Sequence, residues 1–296
     1  MKLAGVVVLY NPNKEVINSI NTYINDLDVL YAVDNSNNNN SNLFTNKKIK
    51  YIPNNKNLGI AKALNIGANL AIENKYHYLL TMDQDSKFEP NGLKNLKLMI
   101  DNYKNNKNLV KEFGKDSEKI GIFSPVHVIN HNPSIMGMSD KDYDSPINVM
   151  TSGNIINLNI YKEINGFKDW FFIDCVDFEY CLNIRKHGYN IIRNNKIILN
   201  HELGNYVEKK FLGKTYSTFE HNHIRRYYIV RNRHYLYDLY VNDFKEYCEL
   251  EKKCTKREFK LVWLCEKNKL KKTFYMIKGY FDYKKNIKGE LKCRKK

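Results

Sequence analysis

The stretch TMDQDS, residues 81–86, follows the apolar run Tyr76-His77-Tyr78-Leu79-Leu80 and sets Asp83 and Asp85 one residue apart. Tyr78–Met82 reads as a strand that runs straight into the acidic pair. The Asp-x-Asp spacing alone carries little information, because it recurs at Asp26/Asp28, Asp140/Asp142 and Asp142/Asp144. A polar turn that solvates a loop or caps a helix explains the spacing equally well. Position shifts the balance. Two carboxylates leaving a sheet edge repel each other unless a cation sits between them, and hard-oxygen ligation of Mg²⁺ or Mn²⁺ supplies one. Such a metal would neutralise a departing diphosphate.

Outward from this stretch, strand and helix signals alternate. Leu3–Tyr10 (LAGVVVLY) is a β-rich run ended by Asn11-Pro12, residues 14–25 suit a helix, and Val29–Val33 ends at Asp34-Asn35-Ser36. In Gly59–Ile72, Ile60, Ala63, Leu64, Gly67, Ala68 and Ala71 recur at helical spacing. Pro90 sits where a helix opens, ahead of Leu93, Leu96, Met99 and Ile100. Further strands are predicted at Ile120–Phe123, Val149–Ile156 and Ile191–Leu199. This alternation predicts an α/β fold with a mostly parallel central sheet flanked by helices. Ligands of such sheets bind beyond the C-terminal strand ends. Tyr10-Asn11-Pro12, Asp34-Asn35-Ser36 and Asp83-Gln84-Asp85 are therefore expected on one edge.

The net charge of +16 is unevenly placed: residues 206–296 hold 25 Lys+Arg against 11 Asp+Glu, and residues 1–205 hold 23 against 21. We therefore divide the chain into a catalytic domain, 1–205, and a basic, mainly helical, aromatic-rich region, 206–296. In that region Phe259, Trp263, Leu270, Phe274 and Ile277 stand at roughly helical spacing among lysines. The six cysteines form no CxxC pair, which suits free thiols in a reducing cytosol. MKLAGVVVLYNPN mimics a short signal peptide but reaches Asn11-Pro12 without a small-residue cleavage site. No run of about 18 apolar residues is present to span a membrane. The expected location is cytoplasmic. The run Asn37–Asn40 reads as a low-complexity loop.

Several other segments carry candidate chemistry. In FFIDCVDFEYCLNIRKHG, residues 171–188, Asp174, Asp177 and Glu179 crowd a predicted helix start. Acids there favour the helix dipole, and one of them is suited to act as a general base. Spacing does not choose among the three. Thr151-Ser152-Gly153-Asn154 is either a bulge or a point of close approach to a sugar or nucleotide. His201 ends a strand and is eligible as a metal ligand. His221, His223, Arg225, Arg226, Arg231 and Arg233 form a cationic cluster, read as a solvated face or as a contact for diphosphate or anionic lipid. The triplet Asp140/Asp142/Asp144 lacks the glycine and glutamate of an EF-hand loop, having Ser145 and Thr151 in their places.

Together the segments VVVLYNP, AVDNS, NLGIAKALNIG, TMDQDS, TSGNIINL, GFKDWFFIDCVDFEYCLNIRKHGY, HELG and RRYYIVRN resemble glycosyltransferase family 2 with the GT-A (Rossmann-like) fold, most closely its bacterial rhamnosyltransferase-like branch. They appear in the family's order over roughly residues 3–233. The resemblance implies nucleotide binding at Tyr10, Asn11, Asp34 and Asp83. It implies a divalent cation, Mg²⁺ or Mn²⁺, at Asp85, Asp83 and His201, and an inverting base at Asp177. Val176 stands where many family members carry a glutamate. Arg225, Arg226, Ser152 and Gly153 are the implied diphosphate or acceptor contacts. The implied partners are a nucleotide-diphosphate sugar, with dTDP-L-rhamnose favoured over UDP-hexoses and the galactofuranose donor, and a glycan or lipid-linked acceptor of cell-surface polysaccharide synthesis. Residues 206–296 are expected either to lie peripherally on the cytoplasmic face of the plasma membrane or to pack on the catalytic domain or a second subunit as a homo-oligomer.

Other classes fit less well. A phosphatase of the haloacid dehalogenase type has Thr or Val where Lys87 stands, and its motif follows the first strand. A sugar-phosphate nucleotidyltransferase has a glycine-rich, arginine-containing loop where this chain has Asn11-Pro12-Asn13. A basic, non-enzymatic nucleic-acid-binding protein leaves Asp83, Asp85 and Asp177 without a role. No nucleic-acid partner is expected.

Overall fold

A computed structural model describes residues 1–129, 141–202 and 204–292. It divides into two compact units, residues 1–168 with 180–202, and residues 169–179 with 203–296. The segment 169–179, expected within the catalytic domain, thus groups with the C-terminal unit. Asp140 of the rejected EF-hand triplet, Leu203 of HELG and Cys293 lie outside the described residues; the other five cysteines are free thiols.

The first unit is built on strands β1 (Leu3–Leu9), β2 (Val29–Asp34), β3 (Ile49–Pro53), β4 (Tyr78–Asp83), β5 (Lys87–Phe88), β6 (Ile120–Ile129), β7 (Tyr143–Asp144), β8 (Asn154–Asn157) and β9 (Asn190–His201). Among the described residues they form one sheet in the order β3-β2-β1-β4-β8-β6-β9-β5, with β7 paired to β9. The β3-β2-β1-β4 half is parallel, β8 inserts antiparallel between β4 and β6, and β6 and β9 run parallel.

Helices cover both faces, as parallel strands require. α1 (Glu15–Asn21) and α3 (Gly92–Asp101) supply Val16, Ile20, Leu93 and Leu96 to a core that includes Leu3, Val7 and Leu9 of β1. α2 (Ile60–Glu73) packs where Gly67 meets Val6; a Cβ added at Gly67 would lie 2.3 Å from a Val6 methyl. The alternation of Val6 and Val7 thus fixes which helix sits on which face. Two shorter helices, α4 (Lys107–Phe113) and α5 (Leu158–Glu163), and α6 (Val176–Lys186) follow.

The C-terminal unit is mainly helical, with one addition that the sequence reading did not name. It starts with an antiparallel hairpin, β10 (Asn205–Phe211) and β11 (Lys214–Glu220), turning at Leu212-Gly213 with both residues at positive φ. α7 (His223–Tyr240), α8 (Lys245–Cys265) and α9 (Lys269–Lys284) follow. The periodic run from Phe259 to Ile277 is broken between α8 and α9, with Asn268 at φ 55°. Gly279 lets α9 close onto α7: a Cβ there would stand 2.5 Å from the Tyr227 carbonyl oxygen.

Candidate active site

Strand register assembles the donor-side residues. Leu9 pairs with Asp34 across β1/β2, and Val8 pairs with Asp83 across β1/β4. Asp34 and Asp83 therefore flank the end of β1, about 10 Å apart across two strand spacings. Tyr10 and Asn11 leave β1 between them, Tyr10 exposed and Asn11 in the left-handed region at φ 47°. Gln84, the middle residue of the acidic motif, clamps this turn. Its Oε1 accepts from the Tyr10 N–H at 2.9 Å, and its Nε2 donates to the Tyr10 carbonyl at 3.3 Å. The sequence offered no signal for that role.

Asp34 is buried and takes a different part from the expected nucleotide contact. Its carboxylate accepts from the Ser36 hydroxyl at 2.5 Å, the Ser36 N–H at 2.8 Å, Asn40 Nδ2 at 2.8 Å and the Tyr51 hydroxyl at 2.8 Å. Four donors occupy the lone pairs of two oxygens. The Ser36 hydroxyl oxygen in turn accepts from the Asn11 N–H at 2.7 Å. Asp34 thus shapes the loop around Asn11. Burial pushes its carboxyl up, but the hydrogen bonds from Ser36, Asn40 and Tyr51 outweigh burial and hold it below the usual range.

Ser152 and Gly153 were expected at the diphosphate or acceptor; both are buried behind β4. The Ser152 hydroxyl accepts from the Asp83 N–H at 3.0 Å, and the Gly153 N–H donates to the Thr81 carbonyl at 2.7 Å. Gly153 has φ 80°, and a Cβ would meet Leu199 at 2.8 Å. This turn carries the end of β4. Beneath it, buried His127 lies 2.6 Å from the Ser152 carbonyl through Nε2. Burial pushes its imidazole down to about 4, against the opposing pull of that carbonyl, so the neutral ring donates Nε2–H. His127 was also missed by the sequence reading, since a lone histidine within an apolar strand gives no signal.

Beyond Asp83 the chain turns through Asp85 and Ser86 toward β9. Buried His201, the last residue of β9, has Nδ1 2.7 Å from the Ser86 hydroxyl and 3.5 Å from Asp85 Oδ1. Burial raises the Asp85 carboxyl, with the Asp83 charge adding to the rise and His201 opposing it. Among the described residues no group of three His, Cys, Asp or Glu side chains converges as a complete metal cage. Asp85 and His201 nevertheless fit half a hard-cation shell of the kind completed by substrate phosphate and water.

In the other unit the structure sorts the three acids that spacing left equal. Glu179 is buried and accepts from the Tyr240 hydroxyl at 2.5 Å. Asp174 Oδ1 accepts from Arg225 Nε at 3.0 Å. Asp177, the second residue of α6, is half-buried, and its Oδ1 accepts its neighbour Phe178's N–H at 2.9 Å. The loop leading to it is unusual: Phe172, Asp174 and Cys175 have φ of 67°, 62° and 62°. Side-chain-bearing residues resist that region, at about 1–3 kcal/mol each. Buried Asn232 on α7 holds the loop down, its Nδ2 donating to the carbonyls of Phe171 at 2.8 Å, Ile173 at 2.7 Å and Asp174 at 2.9 Å. Arg231 adds bonds to the Trp170 and Phe171 carbonyls, each at 3.3 Å.

The expected cationic cluster is mostly internal. Arg226, expected at the diphosphate, is 2% exposed and pairs with Glu258 at 2.7 Å and with Glu266. Arg233 pairs with Glu258 at 2.8 Å, and Lys272 pairs with Glu266 at 2.7 Å and Glu220 at 2.9 Å. Burial and the surrounding arginines push His221 down to about 3, so it stays neutral. Arg226 is thus buried among carboxylates, whereas Arg225 is half-exposed beside Asp174.

Residues 6–133 match the model of glycosyl transferase family 2. Over 241 residues, 77% of this chain and 77% of the relative, the sequence is 28% identical to "dTDP-rhamnosyl transferase RfbF" of Shigella flexneri. TarS of S. aureus in complex with UDP-GlcNAc superposes with a TM-score of 0.61 at 14% identity, covering 97% of this chain and 82% of that one. The mannosyltransferase PcManGT of Pyrobaculum calidifontis, in complex with GDP-Man and Mn²⁺, gives 0.57 at 12%, covering 98% and 76%. At such identities the structural likeness speaks for the fold, which is that of the GT-A glycosyltransferases. Residues 6–133 thus match a family 2 glycosyltransferase domain, and the sequence as a whole is similar to a dTDP-rhamnosyl transferase.

Proposed function

We propose that the protein transfers a sugar, L-rhamnose from dTDP-L-rhamnose, to a hydroxyl of a glycan or lipid-linked acceptor, inverting the anomeric carbon. The acceptor belongs to cell-surface polysaccharide synthesis at the cytoplasmic face of the plasma membrane. The observation that carries the transfer reading is the register that gathers Tyr10, Asn11, Asp83 and the Asp85–His201 pair on one sheet edge. The choice of donor leans on the dTDP-rhamnosyl transferase relative.

On this reading Tyr10 offers an exposed ring to the base, and Asp34, through Ser36, sets the turn that presents Asn11. Asp83 faces the ribose side. Asp85 and His201 would hold a divalent cation, Mg²⁺ or Mn²⁺, which when bound supplies charge neutralisation to the leaving diphosphate. Arg225 adds a positive group for the same oxygens. Asp177 takes the acceptor hydroxyl's proton as that oxygen bonds to the anomeric carbon and the bond from that carbon to the diphosphate oxygen breaks. One carboxylate is enough because the diphosphate leaves without an acid. The transition state is oxocarbenium-like.

A nucleotide-sugar panel with release of nucleoside diphosphate as the readout tests this. Turnover with dTDP-L-rhamnose well above UDP-hexoses is expected; preference for a UDP-hexose or UDP-galactofuranose keeps the transferase and overturns the donor. Thermal stabilisation by dTDP plus Mn²⁺, lost in Asp85→Ala, is expected. No shift with dTDP or UDP would count against nucleotide-sugar transfer altogether.

A further inference from the structure

Helix α9 is amphipathic in the wrong sense for a helix of a water-soluble unit. Its inward face carries Lys272, Met276, Gly279 and Asp282, all buried. Its outward face carries Leu270, Phe274, Ile277 and Phe281, exposed to 76%, 63%, 45% and 54%. Spacings of four, three and four residues place these on one stripe of the cylinder, nearly opposite the buried set. The inversion is possible because the two buried charged groups, Lys272 and Asp282, are paired. Lys272 pairs with Glu266 and Glu220, while Asp282 accepts from the Tyr227 hydroxyl at 2.9 Å and pairs with Lys278. Single exposed apolar residues are ordinary, but a continuous stripe of four marks an interaction surface.

Charge identifies the occupant. Residues 267–289 hold eight lysines and one acid, Asp282, which is buried. Lys271, Lys284 and Lys285 are exposed along the same helix and its C-terminus. A second copy of this chain would bring like charge to like charge across a two-fold interface. A surface of anionic lipid meets both demands: its headgroups neutralise the lysines, and its acyl boundary takes the apolar stripe. Among the described residues no helix is long and apolar enough to cross a membrane, so contact through α9 is contact in the plane of the surface.

We propose that the outward face of α9 docks the protein on an anionic membrane, with Phe274 and Phe281 entering the headgroup region. The inference deepens the reading of a lipid-linked acceptor and rests on it for its purpose; the surface itself stands on the geometry of α9.

The test is flotation of the full-length protein with phosphatidylcholine vesicles, with and without phosphatidylglycerol. Wild type is expected to float only with the anionic vesicles and to be released by salt. Phe274→Ser/Phe281→Ser is expected to weaken that binding at least about tenfold for each ring removed, with an unchanged melting temperature and unchanged turnover on a soluble acceptor. Lys284→Glu/Lys285→Glu is expected to abolish the preference for anionic lipid. Undiminished flotation of the double phenylalanine variant overturns the proposal. So does loss of flotation on Leu212→Ser at the exposed hairpin tip while the phenylalanine variant still binds. Light scattering that shows a wild-type dimer, made monomeric by Phe274→Ser/Phe281→Ser, would instead assign the face to a second copy. Failure of the sugar transfer assay with intact flotation sinks the donor reading and leaves the surface standing.

Discussion

The two units treat charge in opposite ways. In the first, buried polar groups such as Asp34, Ser152 and His127 are satisfied by hydroxyls, amides and backbone groups, and Asp34 and Asp83 each end a strand. In the second, full charges go inside: Arg226, Lys272 and Glu266 are all buried and answer one another, while phenylalanines face outward. A site for a charged ligand needs a rigid edge whose carboxylates are not already answered by protein cations. A basic helical unit carrying a large net positive charge can pull acids inward and leave its outer lysines unneutralised.

That contrast can be broken at several points, the largest effect first. Asp177→Asn is expected to lower kcat by about 10²–10⁴-fold, the range of a positioned general base, with donor-induced thermal stabilisation retained. Full turnover in this variant would move the base to Asp174 or Glu179. Glu266→Ala removes one of the two carboxylate partners of both Arg226 and Lys272 and is expected to cost about 3–5 kcal/mol of stability, as for a broken buried ion pair; denaturant unfolding measures it. A loss below the level of a surface pair would mean that the network relaxes into water.

Asn232→Ala removes one amide from three carbonyls and is expected to cost about 1–3 kcal/mol. In steady-state kinetics it should lower kcat while leaving the donor KM in place, because the loop it holds leads to Asp177. An unchanged kcat would show that the positive-φ loop holds itself. The smallest effect concerns pH. Asp34 has a lowered carboxyl in the folded state, so its contribution to stability is fully present above the ordinary carboxylate range and is lost as pH falls through the lowered value. Asp34→Asn is expected to be less stable than wild type by about 1–3 kcal/mol at neutral pH, with the gap closing in acid. A gap independent of pH would contradict this.

How much of this was legible in the sequence differs by element. β1, β2 and β4 announced themselves as apolar runs, because strands covered on both faces must be apolar throughout or nearly so. β3 did not: Ile49–Pro53 is an edge strand with partly exposed residues, and its pattern is weak. The hairpin from Asn205 to Glu220 is largely exposed, and only Leu212-Gly213 hinted at its turn. At the site, the convergence of three strand ends followed from topology alone. The roles of Ser152, Gly153, Arg226 and Asp34 did not, since residue type says nothing about whether a side chain turns outward or is met by a partner far along the chain. Glu258 lies 32 residues from Arg226, and Glu266 lies 40. The same limit explains why spacing left Asp174, Asp177 and Glu179 equal. Their sorting depends on Arg225 and Tyr240, more than fifty residues downstream.

The asparagine run has a use beyond its first appearance as filler. Asn40 gives its side chain to Asp34 at 2.8 Å and its N–H to Tyr51 at 2.8 Å, while Asn39 Oδ1 receives the Ser41 N–H at 2.8 Å. Both anchoring positions are counted back from Ser41. Because residues 37–40 are identical, the loss or gain of one codon by replication slippage still leaves asparagine at both positions. The length change falls on the first half of the run, where one residue alters closure entropy by only a few tenths of a kcal/mol, roughly. A run of identical side chains is thereby placed where a change in its length preserves the chemistry that the fold reads.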